Sequence, residues 1–144
     1  MKGLQELSDR LEINDLITDY SYAIDTRSWD DLDALFTPDA RIDYTAVGGE
    51  SGDLPTIKAW LAKTLEMFSG FQHLVATSKV EIDGDTATAR TLCHNPMIMT
   101  NDGRESVMFV GIWYHDTFVR TPDGWRISSR REEKGYMHGL PSAP

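Results

Sequence analysis

The chain has 144 residues, 40% of them hydrophobic and 10% aromatic, which is enough for one packed core without covalent staples. Its 23 acidic against 14 basic side chains give a formal charge of -9, which repels phosphate backbones and anionic lipid surfaces and argues against nucleic acid or membrane partners. The lone cysteine, Cys93, excludes an internal disulfide, no apolar run is long enough to span a bilayer, and Glu6, Asp9 and Glu12 among the first leucines do not fit a signal peptide, so a cytoplasmic location is expected.

The first half has helical period. Leu4, Leu7, Leu11, Ile13, Leu16, Ile17, Tyr20 and Ile24 recur at helical spacing and predict a helix over about 4–24 with one apolar face. Ser28 followed three residues later by Asp31 predicts a short capped helix through Phe36, stopped by Thr37-Pro38-Asp39. A strand is expected from Arg41 to Tyr44, and Gly48-Gly49-Glu50-Ser51-Gly52 reads as a flexible loop over a cavity mouth, since it lacks the lysine of a phosphate loop. Pro55 suits the first turn of a third helix, whose Ile57, Trp60, Leu61, Leu65 and Phe68 form one stripe before Ser69-Gly70.

The second half changes period. Segments 74–82, 86–100, 106–120 and 125–133 are rich in β-branched and aromatic residues, and Asp83-Gly84, Asn101-Asp102-Gly103 and Pro122-Asp123-Gly124 separate them as turn signals. The expectation is a four-stranded antiparallel meander with helices on one face, an α+β domain over 1–133 followed by a Gly- and Pro-containing tail over 134–144.

Two residues stand out chemically. Asp25 closes the first helix, where a negative charge meets the negative end of the helix dipole at a cost of roughly 0.3–1 kcal/mol. Its compensator is Arg27, a set of backbone N–H groups, or His73, which lies just past the third helix in Phe71-Gln72-His73-Leu74. A histidine oriented by a carboxylate moves protons near neutral pH. Four histidines without paired ligand spacing give no metal signature, and Cys93 and His94, adjacent in a strand, point to opposite faces and form no nucleophilic dyad.

The element order, with Asp19-Tyr20-Ser21-Tyr22-Ala23-Ile24-Asp25, Trp29-Asp30-Asp31-Leu32-Asp33-Ala34-Leu35-Phe36, Gln72-His73, Asp83-Gly84-Asp85-Thr86-Ala87 and Asp123-Gly124-Trp125-Arg126, resembles the SnoaL-like group of the nuclear-transport-factor-2-like superfamily. The resemblance spans nearly the whole chain and is strongest to scytalone dehydratase, the bile-acid dehydratases and a dehydrochlorinase. It implies a cone-shaped fold around a pocket, a small-molecule substrate, and a homo-oligomer, dimer or trimer; no cofactor is expected, since the residues carry no binding signature for one. It implies Asp25 and His73 as the catalytic pair, Tyr44 as a polarising hydroxyl and Tyr20 as a second active-site tyrosine, with Tyr22 competing for that role. Departures are Ile24 in place of a tyrosine before the aspartate, Met97 near the position of a second histidine with His94 displaced from it, and His115 near the position of an asparagine. Strand alternation puts His115 on one face with Trp113 and Phe109, and His94, His115, Trp60 and Trp113 are further substrate-binding candidates; the substrate is expected not to be scytalone. The implied reaction is that of a lyase; the same parts would serve an isomerase or cyclase, and the superfamily also supplies noncatalytic modules.

Overall fold

The computed structural model describes residues 1–140. Helix α1 (Leu4–Asp25) is followed by a 3₁₀ segment (Trp29–Ala34), strand β1 (Phe36–Asp43), a second 3₁₀ turn (Thr45–Val47), the short β2 (Ser51–Gly52), helix α2 (Leu54–Thr64) and a third 3₁₀ turn (Leu65–Met67). The rest is strand: β3 (Gly70–Phe71), β4 (Leu74–Asp83), β5 (Thr86–Asn101), β6 (Arg104–Thr121) and β7 (Gly124–His138). The sheet runs β2-β1-β7-β6-β5-β3, with β4 pairing on the same side of β5 as β3. The β4 to β7 meander is antiparallel as the turn signals predict, while β1 joins β7 in parallel and makes the sheet mixed. The helices pack on this curved sheet, so the fold is α+β.

Local chemistry accounts for these elements. The Asp53 carboxylate caps α2 by accepting the Thr56 N–H, with proline in the first turn. At the β5–β6 hairpin Asp102 and Gly103 both have positive φ, 51° and 74°, the two-residue geometry that matches strand twist. Irregular register between Phe36 and Arg41, Val75 and Ser78, Gly111 and Ile112, and Thr117 and Phe118 supplies the bends that curve the sheet.

Several boundaries differ from expectation. The helix predicted from Ser28 is a six-residue 3₁₀ segment, and the Ser28 hydroxyl makes no cap, pairing instead with Thr26. Strand β1 begins at Phe36 and absorbs the expected stop, because Pro38 lies within the irregular part of its pairing, where no ladder N–H is needed. Strand β7 runs past Glu133 to His138, so the first part of the expected tail belongs to the sheet; 141–144 lie outside the described residues. Helix α1 carries not one apolar face but two. At about 3.6 residues per turn, Ile13, Leu16, Ile17, Tyr20 and Ile24 share a buried stripe with Asp9, whereas Leu4, Leu7 and Leu11 lie on the opposite side and are exposed.

Candidate active site

Helix α1, α2, the turn after β1 and the concave face of the sheet enclose a cavity of about 170 Å³. Its wall is mostly apolar, with Ile24, Leu61, Leu65, Phe68, Met97, Met108, Val110 and Ile112, and its polar members are few: Tyr20, Tyr44, Thr64, His73, Asn95, Tyr114 and Glu132. Such a cavity matches an apolar body carrying a small number of oxygen atoms.

Asp25 and His73 meet although they are 48 residues apart in sequence. The His73 Nδ1 lies 2.7 Å from Asp25 Oδ1, and the His73 backbone N–H donates to both carboxylate oxygens at 3.2 and 3.0 Å. That N–H is available because His73 falls in the gap between β3 and β4, where the edge of the sheet is interrupted. Arg27 does not neutralise the aspartate. With a left-handed φ of 58° it turns away, donates to the carbonyls of Leu65 and Phe68 at 2.9 Å each, and stacks on Phe71. On the other side of the imidazole, Asn95 Nδ2 lies 3.3 Å from His73 Nε2, and the Asn95 Oδ1 is buried without a partner.

The two expected tyrosines also converge. Tyr20 and Tyr44 are 2% exposed each and share a 2.6 Å hydroxyl–hydroxyl hydrogen bond. Burial holds both phenols protonated, pushing Tyr20 up to about 12 and Tyr44 well above its usual range. One of the two hydroxyl hydrogens is used in their mutual bond, which leaves the other for an acceptor. Beneath them Arg130 is fully buried and paired with Asp116 through Nε and Nη2 at 2.7 and 2.8 Å. Its guanidinium carbon sits 4.1 Å from the ring centroids of both Tyr20 and Tyr114.

Trp60 lines the cavity and tilts against Tyr44. The other substrate-binding candidates lie elsewhere. Tyr22 is 69% exposed, on the side of α1 opposite Tyr20. His94, Trp113 and His115 are on the outer face of the sheet, because strand alternation turns Cys93, Asn95, Ile112, Tyr114 and Asp116 inward. There His94 stacks on Phe109 and bonds the Tyr136 hydroxyl, Arg90 covers Trp113, and His115 pairs with Glu133. Sequence reading missed Asn95, Arg130, Asp116 and Glu132; each occupies the buried phase of its strand, a signal that requires knowing which face meets the helices.

Residues 5–131 match the family model for the SnoaL-like domain. The chain belongs to that family. It is 54% identical over 137 residues to the uncharacterized protein Rv2910c of Mycobacterium tuberculosis, covering 95% of this chain and 92% of the relative. Among solved structures, the Kfla4162 protein of Kribbella flavida superposes with a TM-score of 0.83 at 27% identity, over 92% of this chain and 95% of its own. A hexachlorocyclohexane dehydrochlorinase from Novosphingobium barchaimii shares the fold at a TM-score of 0.80 and 18% identity, over 98% of each chain.

Proposed function

We propose that the protein is a cofactor-independent acid/base lyase of the dehydratase type, acting on a small, largely apolar, oxygenated ring. The observation that carries this reading is the 2.7 Å contact between Asp25 and His73 Nδ1, which leaves Nε2 beside Asn95 on the cavity wall. With Nδ1–H given to the carboxylate, the Nε2 lone pair is the base once the Asn95 amide hydrogen that it accepts at 3.3 Å gives way to the substrate C–H. It removes a proton from the carbon next to a substrate carbonyl, and the C–H electrons move into an enolate. A hydroxyl hydrogen of the Tyr20–Tyr44 pair stabilises the enolate oxygen. As the enolate collapses to a carbon–carbon double bond, the C–O bond one carbon further breaks, and the proton on Nε2 passes to the departing hydroxyl as water. Asp25 steadies the imidazolium in between. A rotation of the Asn95 amide exchanges its donor for its unpartnered Oδ1, so this side chain serves either charge state of the imidazole. The cavity of about 170 Å³ is close to the roughly 150 Å³ in which an apolar protein cavity holds benzene, which favours one substituted ring.

The test is to incubate cell extract with wild type and His73→Ala, identify the consumed compound by untargeted mass spectrometry, and assay variants on it. Asp25→Asn is expected to lower kcat by roughly 10²-fold or more, His73→Ala at least as far, and the double variant little further, because groups acting as a unit are not additive. Folded single variants that turn over like wild type would remove the dyad from the mechanism.

A further inference from the structure

Glu132 is the one acidic side chain among the residues lining the cavity, and the proton transfer described above does not use it. It is 7% exposed, and its Oε2 is sealed from solvent without a hydrogen-bond partner. The neighbouring cation is Arg130, two residues earlier on the same strand face, but its Nε and Nη2 are committed to both oxygens of Asp116, the Tyr20 and Tyr114 rings enclose it, and its Nη1, buried without a hydrogen-bond partner, makes no ion pair with Glu132. The remaining charged or titratable groups around it are Asp43, of like charge, the phenols of Tyr20, Tyr44 and Tyr114, and the Cys93 thiol. An ionised Glu132 would therefore be a buried anion without its own counter-ion, a state avoided by keeping the proton. Burial accordingly pushes this carboxyl up to about 8, with Asp43 adding to the effect and Arg130 opposing it.

The strand register separates this group from the dyad. Asn95, which touches His73, pairs across to Val110 on β6, whereas Glu132 pairs from the other side to Tyr114, four residues further along β6, or about 13 Å of strand. We propose that Glu132 is held as a neutral carboxylic acid that donates its O–H to an oxygen of the bound molecule, at the end of the cavity away from His73. The cavity then takes a neutral ring with oxygen functions toward both ends and disfavours the corresponding carboxylates, whose charge would give up its water to a mostly apolar lining that holds no lysine or arginine. This deepens, and rests on, the reading of the cavity as a small-molecule site.

The test uses the full chain with carbon-13 at the glutamate side-chain carboxyl, with Glu132→Gln assigning the signal. Glu132 is expected to titrate with a midpoint near 8; a midpoint at or below about 6, hence an ionised group at neutral pH, overturns the proposal. The second arm measures binding of 4-methoxybenzaldehyde and of 4-methoxybenzoate, a neutral and an anionic probe on one frame. Wild type is expected to prefer the aldehyde, Glu132→Gln to keep its affinity within about threefold because the amide still donates, and Glu132→Leu to lose about tenfold, the scale of one hydrogen bond. No preference between the probes, or an unchanged affinity in a folded Glu132→Leu, overturns it. Neither arm needs turnover or alters His73, so an inactive dyad and an ionised Glu132 are separate outcomes.

Discussion

Asp25 accepts from the His73 ring and from the His73 backbone at once, and the two contacts have different weights. Removing the ring leaves the backbone N–H still paired; removing the carboxylate leaves that N–H in a half-buried gap with nothing to accept it. Asp25→Ala is therefore expected to lose roughly 1–3 kcal/mol of stability, and His73→Ala clearly less. Urea unfolding of both variants checks this, and the reverse order would show that the ring, not the backbone, anchors the edge. A helix-ending aspartate demands a partner, which the residues alone left open among Arg27, backbone N–H groups and His73; the family resemblance is what pointed to His73. Sequence did not make Tyr22 legible: Tyr20 and Tyr22 are both near Asp25 in sequence, but on a helix about 200° separates them, and only packing shows which side is inward.

At the scale of elements, β5, β6 and β7 each have one face against the helices and one away from them. The alternation itself was readable, and it correctly grouped Phe109, Trp113 and His115 on one side of β6. Which side was inner was not readable, since both faces carry aromatic and polar residues and the inner one hides charges, Asp116 and Arg130, where sequence reading expects hydrocarbon. The consequence is measurable. Asp116→Ala strands the buried Arg130 charge and is expected to cost about 3–5 kcal/mol, whereas His115→Ala, its outward-facing neighbour, breaks only a partly exposed pair with Glu133 and is expected to cost no more than about 1 kcal/mol. Similar losses in thermal or urea unfolding would contradict the assigned faces. Helix α1 misled in a related way: leucines on the side away from the core imitate a continuation of its buried stripe.

Across the whole molecule, Asp9 ties the start of α1 to the far end of the sheet. Its carboxylate accepts from Arg120 at 2.7 and 2.9 Å and from the Trp125 indole at 3.0 Å. The Arg120 hydrogen bonds, followed by that of Trp125, hold its carboxyl well below the usual carboxylate range. A depressed folded-state pKa contributes stability that is present above the unfolded value of about 3.9 and is lost as pH falls below it toward the folded value. Wild type is expected to lose stability on acidification below about pH 4, and Asp9→Asn to be less stable at neutral pH with a flatter acid limb. Denaturation followed from pH 7 downward in both proteins provides the check; parallel acid limbs would assign the acid sensitivity to other carboxylates. Fold class and the order of the four meander strands were legible because turn chemistry and period are local, while the parallel pairing of β1 with β7 and this tie, 111 residues long in sequence, have no local signature.

The position of Trp60 gives the protein a built-in optical reporter. Of the four tryptophans, Trp125 is buried under Arg120, Trp113 lies beneath Arg90 on the outer sheet face, and Trp29 packs at the core's edge. Trp60 alone among them lines the cavity, 6.1 Å from the Tyr44 ring. A molecule entering the cavity displaces solvent from one indole and leaves the other three as an internal reference, so intrinsic fluorescence follows occupancy without an attached dye.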